Sequence, residues 1–99
     1  MTKLERKLCE LGYELDYETQ ERHYEMCCLR IYRHYLKPCN KYFHLKIVFE
    51  ITTGSITSGF FPIKAPKFIW QSIKYNKLFK QAFNQLQNDL KELKKYENI

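Results

Sequence analysis

The sequence predicts an α+β fold in one domain over residues 1–99: a short N-terminal helix, a four-stranded antiparallel β-meander and a long C-terminal helix packed on the sheet. Two patterns lead to this prediction. Apolar residues recur at helical spacing at both ends of the chain, whereas in the middle they alternate with polar residues. With 44% hydrophobic and 16% aromatic residues, 99 residues suffice for one core, because aromatic side chains bury large areas, but not for two lobes.

The N-terminal helix is predicted over residues 3–11. Thr2 and Glu5 have the spacing of a capping box, and leucines follow at helical spacing. Gly12 is suited to end the helix, because glycine readily adopts the positive φ of a helix C-terminus.

Four strands are predicted between the helices. Tyr13, Leu15 and Tyr17 alternate with acidic residues in the first, so they are expected on one face. The third strand has the clearest pattern, with apolar residues at every odd position from Phe43 to Ile51. The predicted strands cover residues 13–18, 23–36, 42–51 and 56–63, separated by turn sequences at residues 19–22, 37–40 and 52–55.

The C-terminal helix is predicted from a helical wheel. Ile69 and Ile73 fall outside its apolar stripe, so the helix is expected to begin between Ser72 and Tyr75 and to end near Tyr96. Such a helix would cross the whole molecule and cover the sheet. The stripe consists of seven residues: Tyr75, Phe79, Ala82, Phe83, Leu86, Leu90 and Leu93.

The net charge of +6 is unevenly distributed. Residues 37–80 contain eight lysines and a single acidic residue, Glu50, whereas residues 14–25 contain five acidic residues against Arg22. One edge of the molecule is therefore expected to be acidic and its centre basic. A basic field attracts nucleic-acid phosphates and acidic protein surfaces, and it also keeps a small protein soluble.

The cysteines and the N-terminus indicate a cytoplasmic protein. Residues 1–11 are charged and lack the apolar stretch of a secretion signal, and no apolar run is long enough to span a membrane. The four cysteines are therefore expected to stay reduced.

The sequence offers little catalytic or metal-binding chemistry. It contains no glycine-rich phosphate loop, and His34, Cys39 and His44 form only a loose set that lacks the usual zinc-ligand spacing. Cys28 and His44 could form a nucleophilic pair if the strand register brought them together, but no signature marks a catalytic thiol. We therefore expect no enzyme, no cofactor and no metal.

One face of the predicted sheet interleaves aromatic and basic side chains. A protein interface is the first interpretation, since Tyr, Met and Arg are enriched at interfaces. Packing under the N-terminal helix comes second, and nucleic-acid binding comes third, because no RNA-binding motif accompanies the residues. The face comprises Tyr24, Met26, Arg30, Tyr32 and His34 on strand two, and Tyr42, His44 and Lys46 on strand three.

The two ends of the chain, residues 1–13 and 81–96, resemble small, mostly uncharacterised phage and prophage proteins of low-GC Gram-positive bacteria. The resemblance covers about a third of the chain. It implies an accessory protein that binds and disables a host machine, and anti-CRISPR inhibitors are the best-populated class of this kind. Many of those mimic DNA with an acidic surface, and the charge of +6 departs from that pattern.

The leading hypothesis is a non-catalytic phage-encoded inhibitor in the host cytoplasm. Its expected partner is a CRISPR effector nuclease or another defence protein, with guide RNA as a further contact and no role for a membrane. The alternative is a small basic nucleic-acid-binding regulatory protein, and a homodimer through a strand edge or the aromatic face stays open. The candidate contacts are Lys74, Lys77 and Lys80 on the helix, and Arg30, Tyr32, Arg33, Lys41 and Lys46 on the sheet.

Overall fold

The computed structural model describes residues 3–23 and 28–95 and confirms the predicted α+β architecture. The four strands form one antiparallel sheet in the order β1-β2-β3-β4, so β1 and β4 are its edges. No helix in the described part of the chain is long and apolar enough to cross a bilayer. The elements are α1 (Lys3–Glu10), β1 (Glu14–His23), β2 (Cys28–Pro38), β3 (Phe43–Glu50), β4 (Ile56–Pro62) and α2 (Ile69–Lys94).

Both helices pack on one face of the sheet, which we call the helix side; the opposite face is the outer face. Leu4 and Leu8 of α1 join the same buried cluster as the odd-numbered residues of β3. The interpretation that α1 covers the aromatic outer face is therefore wrong. The cluster consists of Leu4, Leu8, Tyr13, Tyr35, Tyr42, Phe43, Leu45, Ile47, Phe49, Ala82, Leu86 and Leu93.

The predicted turn at residues 19–22 is wrong, because these residues belong to β1. The strand continues to His23, whose backbone pairs with that of Cys28. The polar composition misled the prediction, since an edge strand tolerates polar and charged side chains along its length. The second strand consequently begins at Cys28 instead of His23, and Tyr24 and Met26 lie outside the described residues.

A register shift in β1 separates the three residues that were expected to share a face. Leu15 pairs with Tyr35 on the helix side, but Tyr17 pairs with His34 on the outer face, because the ladder shifts between Leu15 and Tyr17. An extra residue in one strand reverses the side-chain alternation beyond it.

Tyr42 was predicted on the outer face, but it is buried in the core at 2% exposure. It precedes β3 and sits in a turn where the Asn40 side-chain oxygen accepts hydrogen bonds from the backbone N–H groups of Tyr42 and Phe43, both at 3.0 Å. Outside the ladder its side chain need not follow the strand alternation, and its ring packs edge-on against Tyr75, with centroids 5.2 Å apart.

The long helix begins at Ile69, earlier than the predicted start between Ser72 and Tyr75. The helical wheel correctly placed Ile69 and Ile73 away from the buried stripe, but the inference that the helix therefore starts later was wrong. At 1.5 Å per residue the 26 residues span roughly 39 Å, and the first turns bury none of their side chains. Phe79 and Phe83, two members of the stripe, are only half-buried.

Candidate protein-binding surface

The N-terminal end of α2 exposes four large apolar side chains. Ile69, Trp70 and Ile73 are 82%, 68% and 59% exposed, and Phe68, directly before the helix, is 53% exposed. The Phe68 and Trp70 rings stack, with centroids 4.9 Å apart and planes 9° from parallel. We call these four residues the α2 tip. Contiguous exposed apolar side chains rimmed by polar ones are typical of interaction sites.

Local hydrogen bonds fix where this helix begins. The Gln71 side-chain oxygen accepts a hydrogen bond from the Lys67 N–H at 2.9 Å, and Ser72 donates its N–H to the Phe68 carbonyl at 3.0 Å. The N-cap residue Phe68 provides no side-chain cap, and no acidic residue lies in the first turn. The positive end of the helix dipole at the α2 tip is therefore not balanced by a carboxylate in the first turn.

The three predicted helix contacts lie beside the α2 tip. On a wheel of 100° per residue, Lys77 and Lys80 lie on the side of α2 that carries Ile69 and Ile73, roughly opposite the buried stripe, whereas Lys74 lies next to Trp70 on the flank of the helix. All three lysines are exposed. The α2 tip lies within a segment, residues 51–88, that contains five lysines and no Asp or Glu, so every charged side chain of that segment is positive.

The five predicted sheet contacts are not brought together into one site. Arg33 points to the helix side, where its guanidinium binds Glu5 at 2.7 Å and Glu18 at 3.2 Å. Lys41 lies in the turn before β3, with its ammonium 5.1 Å from the centre of the Tyr42 ring. The other three, Arg30, Tyr32 and Lys46, are half-buried and belong to the outer face.

The outer face has its own aromatic and basic arrangement. The Tyr17 and His34 rings stack at 4.1 Å, and Lys46 donates to the Tyr17 hydroxyl at 3.2 Å. Burial, and then the nearby Lys46 ammonium, lower the pKa of His34. Arg30 also lies on this face, and its guanidinium forms an ion pair with Glu50 at 3.8 Å. Part of the positive charge that could bind a nucleic-acid phosphate on this face is therefore already neutralised by a carboxylate.

Two buried polar networks hold the helices to the sheet. The Asp89 carboxylate, 3% exposed, accepts hydrogen bonds from Tyr13, Lys37 and Gln85. Burial and the bond to Asp89 raise the pKa of Tyr13 far above its ordinary value. The second network joins Glu5 of α1 to Tyr35 and Arg33 of β2. Each buried carboxylate in these networks has several donors, as a structural role requires.

The residues considered for catalysis or metal binding are not assembled. In the sheet register Cys28 pairs with His23 at one end of β2, whereas His44 pairs with Pro38 at the other end, roughly 33 Å away. The register therefore contradicts a Cys28–His44 pair. Burial raises the pKa of Cys39, which disfavours a reactive thiolate. Within residues 3–23 and 28–95 there is no group of three or more His, Cys, Asp or Glu that could hold a metal ion.

Comparisons with protein-family models, with curated proteins and with solved structures found no match for this chain. The resemblance to small phage proteins therefore stays a prediction. The α2 tip itself was missed in the sequence, although a signal was present: Ile69 and Ile73 have helical spacing and adjoin Trp70, but lie off the buried stripe. Large apolar residues on the solvent side of a helix indicate a contact with something other than the helix's own core.

Proposed function

We propose that this protein is a non-catalytic binding protein that docks on a partner protein through the α2 tip and the adjacent lysines Lys74, Lys77 and Lys80. The observation that carries the proposal is the exposure of Ile69, Trp70 and Ile73, each more than half accessible on the side of α2 away from the core. Leaving three such side chains in water forgoes the free energy of burying them. Trp is also among the residues most enriched at the energetic centres of interfaces.

The chemistry of the surface defines the partner. An apolar pocket would receive Trp70 and the two isoleucines, and acidic residues at its rim would face the lysines. Such complementary charge accelerates association and suppresses wrong partners. A second copy of the chain is a poor occupant for the same surface, because a symmetric contact would bring two positively charged helix ends together.

A narrower form of the proposal names the partner as a host defence nuclease, such as a CRISPR effector, or its guide-RNA complex. It is supported by the resemblance to phage proteins and by the small size of the chain, 12.1 kDa. The binding mode would differ from DNA mimicry, since the surface offered is apolar and basic instead of acidic.

The experiment compares three tagged proteins in a host lysate treated with nuclease. They are the wild type, a tip variant (Ile69→Ser, Trp70→Ser and Ile73→Ser) and a control on the solvent side of the same helix (Gln87→Ser and Asn88→Ser). We expect the wild type and the control to retain one stoichiometric protein, which the tip variant loses. Equal retention by the tip variant would refute a role for this surface.

The narrower form needs a separate measurement with purified components. Target cleavage by a purified CRISPR effector with its guide is measured with increasing amounts of wild type, tip variant or control. Stoichiometric inhibition by the wild type and the control, reduced at least about tenfold in potency for the tip variant, is the expected result. Unchanged cleavage would exclude that effector as the target while leaving the binding surface to be judged by the lysate experiment.

A second candidate, nucleic-acid binding, is favoured by the Tyr17–His34 stack beside Lys46 on the outer face. Stacked aromatic rings and cations bind single-stranded nucleic acid. In that case, when the lysate is not treated with nuclease, the tagged protein should retain nucleic acid and no stoichiometric protein. The amount of nucleic acid recovered should fall steeply as the salt concentration rises. Tyr17→Ser should weaken this binding, whereas the tip variant should not.

A further inference from the structure

The two edges of the sheet differ in how well they are protected. The β1 edge has a register shift beside Asp16 and carries Glu14, Glu18 and Glu21, features that discourage pairing with another strand. The β4 edge, Ile56–Pro62, carries no charged residue at all. β4 is therefore the edge better suited to pair with an additional strand.

Two backbone hydrogen bonds define which residues of β4 face β3. Ile63 donates its N–H to the Tyr42 carbonyl at 2.8 Å, and Glu50 donates to the Ser55 carbonyl at 3.0 Å, at opposite ends of the β3–β4 ladder. In an antiparallel ladder the hydrogen-bonded pairs recur at every second residue. The odd-numbered residues of β4 thus direct their N–H and C=O groups at β3.

The even-numbered residues point their backbone groups the other way. Ile56, Ser58 and Phe60 direct their N–H groups at the free edge, and no strand within residues 3–23 and 28–95 pairs there. Pro62 also occupies an edge-facing position, but proline has no N–H, so the N–H donors along the free edge end at Phe60. The edge can therefore bond an added strand over a stretch of about five residues.

An apolar hollow adjoins this edge on the helix side. It has a volume of about 290 Å³ and is lined by Phe79, Lys80, Phe83 and Asn84 of α2. The Phe79 ring also packs against Phe60 of β4, with centroids 5.0 Å apart, which places the hollow next to the strand. An added strand lies about 4.8 Å from its neighbour and directs alternate side chains to each face, so every second one would point to the hollow side.

The charge around the edge indicates what kind of strand fits. Lys80 lines the hollow, Lys64 and Lys67 follow β4, and residues 51–88 contain no carboxylate that could neutralise them. An acidic strand would be attracted, whereas two β4 edges from two copies would bring like charges together. The acidic β1 edge of another copy is a poor partner, because its ladder shifts near Asp16.

We propose that the free edge of β4 binds an extended acidic segment of a partner protein as a fifth strand, with apolar side chains of that segment in the Phe79–Phe83 hollow. Backbone pairing would provide affinity, and the hollow and lysines would provide selectivity, as in other strand-addition complexes. The site contains none of the four residues of the α2 tip and shares only Lys80 with the lysines beside it, so it does not depend on binding at the tip.

The test uses a synthetic nine-residue peptide of alternating valine and glutamate, with capped ends, titrated into the ¹⁵N-labelled full chain. We expect saturable shifts of the Ile56, Ser58 and Phe60 amides. A peptide with every backbone amide N-methylated should bind at least about tenfold more weakly, because it cannot donate to the edge. A peptide with lysine in place of glutamate should do the same, because its charge is repelled.

Ser58 offers a matched pair of variants. Ser58→Pro removes an edge-facing N–H that β3 does not use, at the same phase as the natural Pro62, and should weaken peptide binding at least about tenfold. Ser58→Ala keeps the N–H and should bind as the wild type does. Phe83→Ser, which opens the hollow while leaving the backbone intact, should also weaken binding and replaces Ser58→Pro if that variant does not fold.

Three results would overturn the proposal. They are the absence of amide shifts at millimolar peptide, equal binding of the N-methylated peptide, and wild-type affinity in both Ser58→Pro and Phe83→Ser. Concentration-dependent self-association that Ser58→Pro abolishes would overturn it as well, because the edge would then pair with another copy. The tip variant should bind the peptide normally, so the outcome is independent of the proposed role of the α2 tip.

Discussion

Asp89 is the charged centre of a buried network, and Asp89→Asn should destabilise the fold by about 2–4 kcal/mol. Its carboxylate accepts hydrogen bonds from Tyr13 at 2.9 Å, Lys37 at 3.1 Å and Gln85 at 3.1 Å. Asparagine keeps the shape but removes the charge that faces the Lys37 ammonium, and it presents an amide N–H₂ group to donors. Breaking a fully buried ion pair costs about 3–5 kcal/mol, and the 19% exposure of the Lys37 side chain reduces that cost.

The measurement is urea and thermal unfolding followed by far-UV circular dichroism. Fluorescence of Trp70 would report poorly, because this side chain is already 68% exposed in the folded protein. For a domain of this size 1 kcal/mol shifts Tm by about 4–8 °C, so Asp89→Asn should lower Tm by at least about 8 °C. The control is Glu92→Gln, one helical turn from Asp89; the Glu92 carboxylate is half-exposed and lies 3.9 Å from the Lys7 ammonium. This variant should lose less than about 1 kcal/mol of unfolding free energy, because exposed ion pairs contribute little. Equal losses in the two variants would refute the assigned role of the network.

Three further predictions concern the core, a turn and pH. Leu45→Ala should cost about 2–5 kcal/mol in urea unfolding, because Leu45 is fully buried. Gly12→Ala should cost at least about 1 kcal/mol in the same assay, since the φ of 100° is strained for alanine, and an unchanged midpoint would contradict this. The pKa of His34 is lower in the folded protein, so stability should be full above about pH 6.5 and fall as pH drops below it. His34→Gln should flatten that fall between pH 7.5 and 5.5, and an equally steep fall in the variant would show that another group causes it.

The elements that were predicted correctly are those in which local pattern and tertiary packing agree. In β3 every odd-numbered residue from Phe43 to Phe49 is apolar and buried. The two-residue period of the sequence alone was therefore sufficient to predict which face of β3 packs on the core. Gly12 was predicted to end the first helix and Gly54 lies in the predicted turn at residues 52–55, and both adopt positive φ, at 100° and 74°. At these positions the residue type itself restricts the local structure.

The errors arise where a feature depends on residues distant in sequence. The face of Tyr17 depends on a register shift relative to β2, which composition does not reveal. The burial of Asp89 depends on Tyr13 and Lys37, which are 76 and 52 positions away. On a helical wheel Asp89 lies next to Ala82, at the edge of the apolar stripe, but the wheel does not show which residues of the sheet face it, so single-sequence periodicity could not identify this contact.

The candidate site was only half predictable, for a related reason. Lys74, Lys77 and Lys80 were predicted as candidate contacts because charge is read directly from the sequence. The helix start was predicted too late, between Ser72 and Tyr75, because Ile69 and Ile73 fall outside the apolar stripe and helix prediction assumes that apolar residues face the helix's own core. That assumption fails where a helix presents apolar side chains to a different molecule, so the failure is what the proposed binding at the α2 tip would produce.

Stability and binding are divided along the length of α2. The fully buried apolar residues of the helix, Ala82, Leu86 and Leu93, all lie in its C-terminal part, together with Asp89. The first turns bury none of their side chains, so substitutions in the α2 tip remove little native packing. The tip variant should therefore unfold within about 1 kcal/mol of the wild type, since surface substitutions usually change stability by about 0.5 kcal/mol or less. A loss of partner binding in that variant can then be attributed to the surface and not to unfolding. If the variant were instead strongly destabilised, the tip would be packing on the protein itself, and its apolar side chains would need no partner to explain them.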